Sequence, residues 1–414
     1  MASKTYDYFK LNKGAVLTEE DHQQYMAEIR RLYEEFPSTL EGFRDVLAKK
    51  YTKIYAVGIG DSLYSAGSVE MKSWQYMSNR IQVLESHEFN YYHLDYMPEN
   101  SLVIICSGGG QAGRTVESCC LAKKRGATVV ALTLVPESRL ASQADRVLVF
   151  RPDRKAFPDG ACNYLTLTNM MNVLTIKLAL WNGDIDGTKE RELVDEALLF
   201  ASRGFRAAMG ENEAKMKEAM MRAKEQGQRK FYFIGSGPNY ILTEFGSAKF
   251  MEQSASDGIH QQLEEYGHEQ YWVHNRNGHN DVIFMICPDG KCTPRCIEDL
   301  REMRYLDLTT IVLTTKASEE MKELASYVLE AEPIDEYSFW MAAGVILTRC
   351  ANFFTNYIGL TDGQFAKEEQ KAEHYRTIQF TRFCDEVKEF DIDIPSVETL
   401  TQNGPQGLNF LKKS

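Results

Sequence analysis

Lys249 and Glu252 stand three residues apart in ILTEFGSAKFMEQSASD. On a helix that spacing puts both side chains on one face. Glu252 has Phe250, Met251 and Ala255 for neighbours, where partial burial would tune a carboxylate toward proton transfer. Taken alone, the segment reads better as a surface ion pair. Two glycine-bearing turns add a second kind of chemistry. Gly58, Gly60 and Ser62 fall in KIYAVGIGDS, a strand running into a helix. Glycines there let the backbone approach a ligand, and the helix start offers N–H groups to a polar or anionic one; the alternative is a turn tightened for packing. Ser107, Gly108, Gly109 and Gly110 follow SLVIIC in the same way and can form an anion nest. Arg114 and Thr115 open the next helix, where a guanidinium and a hydroxyl would meet the same anion. GSGPN further on repeats the first turn and adds Ser236 and Asn239 as ligand-contacting candidates.

The residue spacings argue against other chemistries. GIGDSL has Leu63 where a dinucleotide fingerprint needs its third glycine, and Glu85 in VLESHEF is no convincing ribose-binding acid. His260, His268, His274 and His279 are separated by 8, 6 and 5 residues, which matches no compact zinc motif. Cys287, Cys292 and Cys296 lack CxxC spacing and read as loop and helix thiols. No metal or cofactor is expected. The net charge of −12 and the absence of a basic cluster argue against nucleic acid. No apolar run reaches the ~20 residues of a membrane helix, and MASKTYDYFKLNKG has no signal-peptide core. Nine cysteines, an odd number scattered along 414 residues, suit reduced thiols in the cytoplasm.

The elements that must position these residues alternate regularly. Residues 1–50 are a helical lead-in with Thr18 as N-cap. Residues 51–160 read as strand KIYAVGIG, helix DSLYSAGSVEMKSWQYMS, strands RIQVLE and SLVIIC, helix RTVESCCLAKKRGA, strand TVVALTL, helical turn ESRLASQAD and strand RVLVF. Residues 161–228 form a connector of two or three helices. Residues 229–332 restart the pattern with RKFYFIG, the helix through SASD, NDVIFMIC, CIEDLREMRYLD, TTIVLTT, SEEMKELAS and YVLEAE. Residues 333–414 hold an apolar helix and a polar tail whose structure past about 381 is not readable. Strands alternating with amphipathic helices imply parallel sheets. The order GIGDS–SLVIIC answered by GSGPN–DVIFMIC implies an internal duplication with a period of roughly 180 residues. The expected fold is α/β: two tandem three-layer α/β/α domains.

Those motifs resemble the sugar isomerase (SIS) family in its double-domain branch, which holds the isomerase half of glucosamine-6-phosphate synthase and the deglycases of fructosyl-amino acid phosphates. The likeness covers about residues 50–380. ESHEFNYY leading to SLVIICSGGG, ATVVALT with SRLASQAD, and above all GSGPNYILTEFGSAKFMEQ carry it. The resemblance implies that Glu252 shuttles a proton between C1 and C2 of an open-chain sugar and that Lys249 is its helix partner. It implies that His268, sixteen residues on, assists from a neighbouring subunit, so that a homodimer or larger assembly shares its sites. It also implies a sugar or sugar-amine substrate bound near Gly60, Ser62, the Ser107 loop, Ser236 and Asn239. The chain departs from the family's S-x-S-G-x-T loop: Gly109 and Ala112 replace hydroxyls. The usual His-Gly-Pro is His268-Glu269-Gln270, and Arg376 stands near the position of a C-terminal lysine. These changes point to an unusual substrate. No glutaminase domain precedes residue 50, so no glutamine-derived ammonia is expected. The expected reaction is deglycation of a ketosamine, phosphorylated or not. The alternatives are ketose–aldose isomerisation without C–N cleavage and a non-catalytic sugar-binding regulator.

Overall fold

The computed structural model describes residues 15–277, 281–360, 367–391 and 393–403; His279 lies outside them. Thr18 caps the lead-in helix Glu19–Glu41 as expected, its hydroxyl accepting from the Asp21 N–H while Asp21 accepts from the Thr18 N–H at 2.7 Å.

The first sheet has five parallel strands in the order β2-β1-β3-β4-β5: β1 Lys53–Gly58, β2 Ile81–Glu85, β3 Ser101–Cys106, β4 Thr128–Thr133 and β5 Arg146–Val149. The second repeats that order as β7-β6-β8-β9-β10, with β6 Lys230–Gly235, β7 Asp257–Gln262, β8 Val282–Ile286, β9 Thr309–Thr314 and β10 Tyr327–Glu330. Every residue of β3, β8 and β9 is buried, as expected of parallel strands covered by helices on both faces. The duplication inferred from sequence is thus present in the topology.

The edge strand β7 was not anticipated. The sequence reading ran the preceding helix to Asp257, but the helix Tyr240–Ser254 stops at Ala255, a non-glycine residue in the left-handed region (φ 50°). The following DGIHQQ pairs with β6 alone and carries polar residues on a half-exposed edge, so it lacks the apolar alternation that marks a strand.

The connector resolves into three helices, Cys162–Asn182, Gly187–Arg206 and Gly210–Glu225. One apolar core runs through both halves. The Cys162 helix, buried on nearly all sides, packs on the helix Asp61–Ser73, and the helix Trp340–Tyr357 packs on the Tyr240 helix. The Asp61 and Tyr240 helices, which follow equivalent strands, cross at Gly67, where a Cβ would lie 2.8 Å from Ile241. Tyr164 of the Cys162 helix stacks on Phe245 of the Tyr240 helix at 3.9 Å, adding to the packing between the halves.

Candidate active site at the domain seam

Both strand-to-helix turns are built alike. A Cβ on Gly58 would meet the Leu63 backbone nitrogen at 2.9 Å, and one on Gly235 the Asn239 carbonyl oxygen at 2.9 Å. Gly60 and Gly237 have φ of +55° and +58° and open space at the Cβ position. The first glycine of each turn is therefore set by packing, and the second by backbone conformation.

In the first domain the strand order reverses at β1 and β3, the switch point where open α/β sheets leave a crevice at the carboxyl ends of the strands. The Gly60 turn and the Ser107 loop meet there: the Gly108 N–H donates to Ser62 Oγ at 3.2 Å. Ser107 Oγ accepts from the Gly110 N–H at 3.2 Å, and Gly110 has φ +62° with Ser138 filling its Cβ position. Gly109 needs neither a positive φ nor the space, since nothing lies within 4 Å of its Cβ position. Among the described residues the N–H groups of Gly109, Gln111 and Ala112 have no protein acceptor.

The second domain supplies the charges. Lys249 is 3% exposed; its ammonium sits 2.8 Å from Asp61 Oδ1 and 2.7 Å from Glu252 Oε2. Asp61, at the first turn of its helix, thus joins the two domains through an ion pair. Burial pushes the Asp61 carboxyl up, the Lys249 ammonium pulls it down, and Glu252 adds to the rise. Burial alone would lower Lys249, but the two carboxylates raise it, so it remains an ammonium. Glu252 lies at the open end of this chain of charges. It is not desolvated among apolar side chains as expected: its side chain keeps 43% of its surface exposed, and Met251 beside it is also exposed. Glu252, Lys249, Asp61, Ser62 and the Ser107 loop are thus connected through successive contacts across the seam.

Other candidates take different positions. Arg114, expected as an anion fork, is committed within the protein: it pairs with the fully buried Glu117 and bonds Tyr91 at 2.7 Å and Thr381 Oγ1 at 2.9 Å. Thr115 is buried, and its hydroxyl donates to the Ala112 carbonyl of its own first turn. Arg376 pairs with Glu373 at 2.7 Å on the surface of the helix Glu368–Gln379. The segment following that helix straps the first domain. Thr381 occupies the Cβ position of Gly113, and Arg139 donates to the Gln379 and Phe390 carbonyls. Ser236 is half-buried in its turn. Asn239 is buried with both side-chain polar atoms unpartnered. His268 stands exposed on a one-turn π-helix, Tyr266–Gln270, near Glu264 at 3.3 Å. His260 meets Tyr240, and His274 is buried against Tyr266; the described histidines do not converge on one point.

Sequence reasoning missed Asp61 and Glu117. An acid at a helix start is commonplace because it complements the dipole, and that hid the role of Asp61. The i,i+3 pairing of Arg114 with Glu117 was the available signal for the other.

Two doubly wound parallel five-stranded sheets in tandem are consistent with two SIS domains. The SIS domain family model matches residues 47–178, and the chain carries an SIS domain there. It is 24% identical over 318 residues to a glutamine–fructose-6-phosphate aminotransferase (isomerizing) of Thermococcus kodakarensis, covering 74% of this chain and 51% of that protein. The chain thus spans about half the length of that curated relative. Over 49 residues, 12% of this chain and 15% of the relative, it is 45% identical to the fructosamine deglycase FrlB of Bacillus subtilis. Its fold matches the C-terminal domain of glucosamine-fructose-6-phosphate aminotransferase from Francisella tularensis with a TM-score of 0.68 at 17% identity, over 83% of this chain and 99% of that one. The likeness is therefore to SIS proteins in sequence over residues 47–178 and in fold over most of the chain, and no described helix is long and apolar enough to cross a membrane.

Proposed function

We propose that the protein acts on an open-chain ketosamine or ketose, with Glu252 moving a proton between C1 and C2. The observation that carries this reading is the Asp61–Lys249–Glu252 chain. A buried ammonium holds one carboxylate oxygen of Glu252 while the Glu252 side chain keeps 43% of its surface exposed. With a ketosamine, Glu252 takes a proton from C1 and an enaminol forms across C1–C2. The proton returns at C2, giving a C1 imine, and water then cleaves it to an aldose and a free amine. With a ketose the same transfer through an enediol gives the aldose. Lys249 is a positioning residue: buried and doubly paired, it holds Glu252 but has no free face for substrate.

The N–H groups of Gly109, Gln111 and Ala112 suit an oxyanion or phosphate at the start of the helix Gly113–Lys124. With Arg114 and Thr115 engaged elsewhere, this grip is made by backbone. The 49-residue match to a fructosamine deglycase supports C–N cleavage, and the longer matches to isomerizing aminotransferases support C1–C2 isomerisation. His268, 68% exposed on its side chain and beside the exposed Trp272, suits a role in the site of a neighbouring copy.

Incubating the enzyme separately with fructosamines, fructosamine phosphates and ketose phosphates tests this reading. Stoichiometric release of amine and aldose supports deglycation. Aldose formation from the ketose phosphate without amine supports the isomerase alternative. No turnover of any of these, with binding retained, supports the regulator.

A further inference from the structure

At the switch point of the second domain, the equivalent of the glycine loop is built from sulfur. Cys287 directly follows β8, its N–H bonding the Leu313 carbonyl as the Ser107 N–H bonds that of Leu132 after β3. Cys292 is the N-cap of the helix Thr293–Tyr305, and Cys296 lies one turn inside it, its N–H donating to the Cys292 carbonyl at 3.0 Å. The turn CPDGKC folds back so that the three Sγ atoms lie within 4.8 Å of one another. Cys287 and Cys296 are fully buried and Cys292 is partly exposed. The sequence reading treated these as unrelated thiols because they lack CxxC spacing. It could not see that a strand end, an N-cap and the next helical turn bring spacings of five and four residues to a single point. Among the described residues this is the one group of three or more metal-competent side chains drawn together.

We propose that Cys287, Cys292 and Cys296 form a three-thiolate site for a thiophilic divalent cation of the zinc class. Thiolate sulfurs about 2.3 Å from a tetrahedral centre lie roughly 3.8 Å apart, so closing the cluster on an ion takes a contraction of ~1 Å, within reach of side-chain rotation. The helix start favours thiolate at Cys292. The partly exposed face at Cys292 gives the ion its entry and leaves the fourth position to water. Each thiol still protonated gives its proton to solvent as its S–H bond is exchanged for an S–metal bond, so affinity falls as the pH is lowered. The ion would clamp β8 to the following helix. This site is independent of the Glu252 chemistry.

The test is titration of the reduced, chelator-treated full chain with Zn²⁺ alone, read by competition with a chromophoric chelator. Protection of thiols from a thiol-reactive dye is read in parallel. The expected result is one equivalent bound, three thiols protected, and at least about tenfold weaker binding in Cys292→Ser. That variant changes a partly exposed residue, and circular dichroism checks its fold. Cys384→Ser, far along the chain, leaves binding unchanged. Absence of stoichiometric binding, or binding that Cys292→Ser does not weaken, overturns the proposal.

Discussion

Lys249 Nζ lies 2.8 Å from Asp61 Oδ1, an ion pair that spans the seam between two duplicated domains and is closed at its other side by Glu252. A buried charge left without its partner is costly, whereas a buried pair replaced together is often neutral. Lys249→Met should therefore destabilise the fold by ~3–5 kcal/mol, and Asp61→Asn combined with it should recover most of that loss. Urea unfolding of the two single variants and the double variant gives the coupling. Additive losses would show that the pair does not join the domains.

The two adjacent loop glycines should separate fold from binding. Gly110→Ala forces a Cβ into Ser138 at a φ of +62° and should lower the unfolding midpoint. Gly109→Ala meets open space and should leave stability within about 0.5 kcal/mol. Because it crowds the unpartnered N–H groups, it should raise KM for an anionic substrate with little change in kcat. Equal stability losses in both variants would contradict this division.

His274 is fully buried against Tyr266 and Tyr232, and burial lowers it to about 4 from an ordinary 6.5. The folded state then binds fewer protons than the unfolded one between those values. Stability is fully present above pH 6.5 and is lost as the pH falls toward 4, by up to a few kcal/mol from this group. His274→Gln should flatten the acid limb of a plot of urea midpoint against pH. An unchanged limb would assign acid lability to other groups.

Much of this architecture was legible in the sequence because buried parallel strands announce themselves. LVIIC and VIFMIC are continuous apolar runs bounded by turns, and the GIGDS–GSGPN echo revealed the duplication. β7 was not legible because an edge strand with one neighbour does not need an apolar face. The pairing of Lys249 with Glu252 was legible from their i,i+3 spacing. Asp61 was not, since its function depends on a helix 188 residues away in sequence. Arg114 failed as a ligand candidate because its partners, Glu117 and Thr381, are fixed by the strap after residue 379, a polar stretch without periodicity. The sulfur cluster escaped because convergence depends on where a turn ends, which spacing alone does not encode.

The role of Glu252 is most directly tested by solvent-proton exchange at C1 of the substrate, followed by NMR in deuterium oxide, for the parent protein and Glu252→Gln. The fold and the Lys249–Asp61 pair should survive this neutral substitution. Exchange and turnover should fall together by about 10²- to 10⁴-fold, the ordinary contribution of a positioned base. Exchange that persists at the parent rate in Glu252→Gln would contradict the account.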